Sequence, residues 1–172
     1  FLTLLQIHLA AALPQSSEAP RNIEPQNRKV RKLLIIGIDG LRPDALLSVR
    51  APNMRALIRG GAFASDASAD SITRSGPGWA SVLTGVWHGK HGVIDNEIAS
   101  FRGDAYPAFF KRLKENRPEL FTACIVNWAP IRDRLMSGVD LALAPENDDS
   151  VAAIAGRLLL RRDAYKVDLD AV

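Results

Sequence analysis

Two short stretches hold the side chains that could do chemistry: Asp39, at the end of Lys32-Leu-Leu-Ile-Ile-Gly-Ile-Asp39, and Ser75, in the run SITRSGPGWASVLTG at residues 71–85. A carboxylate such as Asp39 ligates hard or borderline cations, and it serves equally well as a turn or cap residue. Ser75 precedes Gly76 and Pro77, which makes it a good helix N-cap with proline at an early helical position. The same place sets its oxygen where the helix dipole and open backbone N–H groups favour negative charge, as a developing phosphate or sulfate oxyanion requires. Gly76 and Gly78 leave room for a substrate to approach the backbone. A serine hydroxyl is a poor nucleophile at neutral pH unless a base or a metal lowers its pKa. With no histidine close in sequence, a metal shared with Asp39 is the more natural activator. On the residues alone both stay open: cap or nucleophile for Ser75, turn or ligand for Asp39.

His88 and His91, in Val86-Trp-His-Gly-Lys-His-Gly-Val93, lie three apart in a Gly-rich loop with no cysteine nearby. The spacing admits a zinc pair, but it fits a structural role in the loop better.

These residues need a scaffold, and the chain around them alternates. Lys32 to Asp39 is a near-continuous apolar run of the kind buried on both faces of a parallel sheet, and Leu120 to Asn127 is another. Ala51 to Arg59, with proline at its start and Gly60-Gly61 after it, predicts a helix. Further helices are predicted from Pro77 to about Leu83, over Tyr106–Glu115 and over Asp149–Arg162. Ala62–Ala67 and Val167–Val172 read as short strands, and Gly85–Asn96 as a loop. Strands alternating with helices argue for an α/β fold around a mostly parallel sheet. In such sheets ligands gather beyond the carboxyl ends of the strands, which is where Asp39 falls.

Composition bounds the rest. The chain has 172 residues, 47% hydrophobic and 24% charged, enough to bury a real core. Its net charge of +3 comes from 22 basic and 19 acidic residues that are interspersed, and the short run Arg28-Lys-Val-Arg-Lys32 reads as a linker or strand flank. No nucleic-acid-binding module is expected. One cysteine, Cys124, excludes an intrachain disulfide, and its apolar neighbours predict a buried small hydrophobe. The opening FLTLLQIHLAAALPQSSEAP resembles the apolar region and cleavage zone of a secretory signal peptide. Its apolar run, residues 1–13, is shorter than the roughly 20 residues a membrane span needs, so the mature chain is expected to carry no span and to be exported, to a periplasm or the exterior. The expected organisation is a partial signal segment over 1–13, a linker over 14–30 and a folded domain over 31–172.

The stretches LLIIGIDGLRPDAL, APNMRALIRGGAF and TRSGPGWASVLTGVWHGKHGV, in that order, resemble the N-terminal half of the alkaline phosphatase superfamily. They are close to its type I phosphodiesterase/nucleotide pyrophosphatase and sulfatase-like branches, over residues 31–97. The resemblance implies a three-layer α/β/α sandwich and hydrolysis of a small-molecule phosphate ester with two divalent metal ions, zinc by resemblance. It makes Asp39 the first metal-binding aspartate and Ser75 both nucleophile and metal ligand, with Gly76 and Gly78 beside the substrate. His91 matches the histidine of an H-G-[VI] segment with a structural role. The sequence also departs from both branches. Trp79 stands where sulfatases carry arginine, and Gly78 where they carry serine and the phosphodiesterases a phosphate-binding asparagine. Classical sulfatase chemistry is disfavoured accordingly, and a sulfatase-like hydrolase or a non-catalytic remnant of the fold is the alternative. The family's later ligands, an Asp-x-x-x-His pair among them, have no counterpart here, so the chain reads as the N-terminal part of a longer catalytic domain that is inactive alone.

Overall fold

The computed structural model of the chain describes residues 32–160, so the expected signal segment, linker and strand at Val167–Val172 lie outside the described residues. The described residues divide between Ala67 and Ser68 into two compact units.

In the first unit, residues 32–38 run without regular structure into a turn at Asp39-Gly40, where Gly40 takes φ 69°. This corrects the expected buried strand. Leu33 is 78% exposed, Ile35 and Ile36 are 50% exposed, and the segment forms no ladder with any described residue. An apolar run buries itself only when neighbouring strands flank it, and its pattern does not supply those neighbours. Two helices follow, α1 at Pro43–Ser48 and α2 at Pro52–Gly60, each with proline in its first turn. Their junction is tied by Arg55, which donates to the carbonyls of Leu47 (2.6 Å) and Val49 (3.0 Å). Residues 62–67, expected as a strand, carry none.

The second unit holds the core. Helix α3, Ser75–Thr84, buries Gly76, Pro77, Ala80 and Leu83 along one face. It ends at Gly85, whose φ of 74° permits the left-handed cap in which its N–H reaches the Ser81 carbonyl at 2.9 Å. A single turn, α4 at His88–His91, and a helix α5 at Phe109–Asn116 come next. Strand β1, Ala123–Ile125, pairs in parallel with β2, Leu141–Leu143, in the register Cys124 opposite Ala142. Parallel strands need a long crossover. Residues 126–140 supply it, with a π-helical turn at Ile131–Leu135 that drives both of its end residues into the core. Asp140 fastens the start of both strands: its Oδ2 accepts from the N–H (2.7 Å) and hydroxyl (2.8 Å) of Thr122, and its Oδ1 from Lys114 Nζ at 2.9 Å. Helix α6, Asp148–Leu160, starts where Asn147 Oδ1 accepts the Ser150 N–H at 2.9 Å and packs its buried Ile154 inward.

Ala80, Leu83, Val93, Ile98, Ala108, Cys124, Ile131, Leu135 and Met136 form one buried cluster, edged by Trp79, Phe101, Phe109 and Phe110. Burying a side chain such as Leu135 or Ile98 fully is worth about 1.5–3 kcal/mol. Cys124 is free and buried in β1, and burial pushes its thiol up to about 11. The described residues thus form a mixed fold of helices with a short parallel sheet, compatible with the expected α/β class.

Candidate active site

Ser75 stands one position further into α3 than its sequence suggests. Arg74 has the extended backbone of an N-cap (φ −103°, ψ 160°), and its carbonyl accepts the first helical bond, from Gly78 N–H at 3.0 Å. Ser75 is therefore the first helical residue, half-buried, and it is not the cap. The Arg74 side chain makes no capping bond. Pro77 has no N–H to offer, and the N–H of Gly76, which precedes the first intrahelical bond, is a donor in this turn that calls for an acceptor. It finds one at 2.9 Å in the side-chain Oδ1 of Asn96, 20 residues downstream.

The close approach behind that bond requires glycine. A Cβ on Gly76 would lie 2.1 Å from the Asp95 carbonyl oxygen and 3.0 Å from the Asn96 Cα. The space that the sequence suggested for a substrate at Gly76 is thus filled by the chain's own Asp95–Asn96 backbone. Both glycine amides are engaged within the chain, Gly76 with Asn96 and Gly78 with Arg74.

The turn that presents Asn96 is held at both ends. Asp95 Oδ1 accepts from the N–H groups of Glu97 (3.1 Å) and Ile98 (3.3 Å), an Asx arrangement. Ile98 takes φ 54°, the one left-handed non-glycine residue among those described, and is buried in the core. That conformation is a true outlier for a β-branched side chain.

The two histidines settle into different tasks. His91 is fully buried; its Nδ1 accepts the Val93 N–H at 3.1 Å, so its Nε2 carries the proton toward Ser81 Oγ at 2.9 Å. Both ring nitrogens are used, which leaves no lone pair for a metal, and burial pulls its pKa below the ordinary histidine value. His88 instead reaches Asp70: Nδ1 to Oδ1 at 2.7 Å, with its backbone N–H on Oδ2, also 2.7 Å. Asp70 also accepts the Ser71 N–H at 2.6 Å. Burial alone would raise the Asp70 carboxyl, but the His88 N–H and imidazole and the Ser71 N–H outweigh it and hold the group at about 2. Asp70 thereby caps α4, a role no local motif announces.

Asp39 lies exposed in its turn in the first unit, whereas Ser75, Gly76 and Gly78 share the first turn of α3 in the second. No three His, Cys, Asp or Glu side chains are grouped to hold a metal ion among the described residues. Asp70 and Asn96 are the site-adjacent residues that sequence reasoning missed. The Asp95-Asn96 pair, a turn signal directly after His-Gly-Val-Ile, was the available hint for the second.

The order of these parts, an Asp-Gly turn, a proline-led helix, a serine opening α3 and a His-Gly turn, is matched by one family. The sequence profile of the type I phosphodiesterase/nucleotide pyrophosphatases matches residues 33–139, more than half of the chain. The chain belongs to this family. Among characterised relatives, the bis(5′-adenosyl)-triphosphatase enpp4 of Xenopus laevis is 28% identical over 75 residues, 44% of this chain and 17% of that protein. The bis(5′-adenosyl)-triphosphatases ENPP4 of Bos taurus and Homo sapiens are each 30% identical over 67 residues, 39% of this chain and 15% of theirs. The chain thus aligns with only a small part of the length of these phosphodiesterase-family relatives. No solved structure matches it. No helix among the described residues is long and apolar enough to cross a membrane.

Proposed function

We propose that this phosphodiesterase-family chain is the N-terminal part of an exported, metal-dependent phosphoric ester hydrolase in which Ser75 is the nucleophile. The observation that carries the reading is Ser75 as the first residue of α3, in a chain whose family match spans that helix. Its oxygen stands at the positive end of the helix, where charge developing on a phosphoryl group is favoured. Ser75 Oγ forms a bond to phosphorus as one ester or anhydride oxygen departs, the hydroxyl proton passes to water and the departing oxygen takes one up from solvent; water then attacks the same phosphorus of the serine-linked phosphodiester, breaking its bond to Oγ, releasing the phosphomonoester and restoring the hydroxyl. Gly78 allows a close approach to this turn, while Gly76 serves the scaffold. The relatives' names point to a substrate with adenosyl groups joined through phosphates, and a phosphoric diester or anhydride of that kind is the class we assign.

The resemblance implies two divalent ions, zinc by that resemblance, with Asp39 and Ser75 among their ligands. The described residues do not fit that centre by themselves, because they group no three donors together, so the reaction is written without a step through it. A three-layer α/β/α sandwich and a removable segment over 1–13 complete the proposal. The 1–172 chain alone is expected to be inactive.

The test uses the full-length gene product with bis(p-nitrophenyl) phosphate, p-nitrophenyl phosphate and p-nitrophenyl sulfate. Turnover of a phosphate ester that falls at least ~10³-fold in Ser75→Ala supports the reading. Undiminished turnover in Ser75→Ala would overturn it, and preferred hydrolysis of the sulfate would move the enzyme to the sulfatase-like alternative.

A further inference from the structure

We infer that Arg74 is a specificity residue: its guanidinium binds a second phosphoryl group beside the one that Ser75 attacks, so that the site favours substrates with linked phosphates over simple phosphodiesters. The inference rests on Ser75 being the nucleophile, as proposed above.

Helix α3 by itself gives no reason for an arginine at its N-cap. That place prefers Ser, Thr, Asp or Asn, whose side-chain oxygen accepts a free backbone N–H, whereas a guanidinium carries only donors. The helix dipole also opposes a cation there, and no acid stands in the first turn of α3 to offset it. The Arg74 side chain makes no hydrogen bond or ion pair among the described residues. Asp70, the acid that precedes it most closely, is committed to His88, and Asp95 uses its Oδ1 on the N–H groups of Glu97 and Ile98. A residue that breaks the local rules with no compensating partner in the fold marks a place set by function.

Burial around the helix start says from which side a substrate comes. Gly76 and Pro77 are buried and Ser75 is half-buried, whereas Thr73 and Arg74 are exposed. At Gly76 the Asp95 carbonyl oxygen already fills the place of a Cβ. A substrate that meets Ser75 therefore arrives past Arg74. Adjacent Cα atoms lie about 3.8 Å apart, so the long Arg74 side chain covers the approach to Ser75 Oγ. In a phosphoric anhydride a single bridging oxygen separates neighbouring phosphoryl groups, so attack on one places the next within this reach. A simple diester has its charge only on the phosphorus under attack. A chain of phosphates carries further negative oxygens, which the planar guanidinium fork can take up in pairs.

The experiment measures kcat/KM of the full-length protein for bis(5′-adenosyl) triphosphate, the substrate in the relatives' names, and for bis(p-nitrophenyl) phosphate. It compares wild type with Arg74→Met, which keeps length and loses charge, and Arg74→Lys, which keeps the charge, with near-ultraviolet circular dichroism as the check on folding. We expect Arg74→Met to lower the ratio of triphosphate to diester kcat/KM about 10-fold, and Arg74→Lys to recover part of that loss. Added NaCl supplies a readout that a purely structural role would not move: the wild-type ratio falls as salt screens the exposed charge, and it falls less steeply in Arg74→Met. An unchanged ratio in Arg74→Met, Met and Lys variants with the same ratio, equal salt slopes in wild type and Arg74→Met, or a wild type that turns over only the diester overturns the inference. If Arg74→Met does not fold, Arg74→Gln replaces it under the same criteria; failure of both to fold while Arg74→Lys folds assigns the arginine to stability and also overturns it. Full activity in Ser75→Ala, or no turnover of either substrate by wild type, instead removes the nucleophile reading and the inference with it.

Discussion

Replacing Gly76 by alanine tests the contact between α3 and the Asp95–Ile98 turn, and its cost can be worked from the structure. The added Cβ would lie 2.1 Å from the Asp95 carbonyl oxygen and 3.0 Å from the Asn96 Cα. Both obstacles are backbone, so relief requires the turn to withdraw from the helix, and Ile98, buried in the core, anchors that turn. Forcing extra volume into such a place costs about 1–3 kcal/mol. Withdrawal also lengthens the bond from Gly76 N–H to Asn96, worth about 1 kcal/mol. Against this, alanine is a better helix former than glycine by about 1 kcal/mol. The balance is a loss of roughly 1–3 kcal/mol, or roughly 2–12 °C in Tm for a chain of this size. Urea unfolding should show a lower midpoint with an unchanged slope. Gly156→Ala, inside α6 with nothing within 4 Å of the new Cβ, is the matched control and should gain up to about 1 kcal/mol. A Gly76→Ala protein as stable as that control would refute the reasoning, since it would mean that the turn yields without cost.

Two further predictions concern pH. Asp70 titrates at about 2 in the folded chain, below the ordinary carboxylate value of about 4, so its contribution is complete above that ordinary value and is lost as pH falls from about 4 toward 2. The urea midpoint should drop over that window, and Asp70→Asn should flatten the drop; an identical acid limb in the variant would count against the capping role. His91 has its folded pKa lowered by burial, so the unfolded chain binds the proton first and stability is lost as pH falls below about 6.5. Melting temperatures between pH 7.5 and 5.5 should decline in wild type and less so in His91→Gln, and equal slopes would show that His91 is not the group responsible.

The parts of the fold that were legible in the sequence are those whose signal is carried by their own residues. The helices at 52–60, 75–84, 109–116 and 148–160 show apolar spacing with proline, glycine or asparagine at their ends, and the strand at 123–125 sits inside its apolar run. What escaped depends on residues far away. Helix α4 exists because Asp70, 18 positions earlier, accepts the His88 N–H. The N-cap of α3 shifted from Ser75 to Arg74 while Asn96 took the acceptor's part, so the question of cap or nucleophile was posed one residue out of place. Residues 33–38 illustrate the converse: a pattern of burial with no described partner to bury it. Of the site, the serine and its helix were readable, whereas the backbone contact that demands Gly76 was not, because the sequence gives that glycine no distinguishing mark.

Cys124 turns the short sheet into its own reporter. It is the chain's only thiol, it sits in β1 paired to β2, and with its pKa pushed up to about 11 it is almost wholly protonated at neutral pH. Its side chain is packed into the buried core cluster, so a thiol reagent reaches it when the core around β1 opens. The ratio of its labelling rate in the native chain to that in denaturant measures the free energy of that opening with no foreign probe introduced. Comparing this ratio with the global unfolding energy would tell whether the β1–β2 pair opens by itself or only with the whole core.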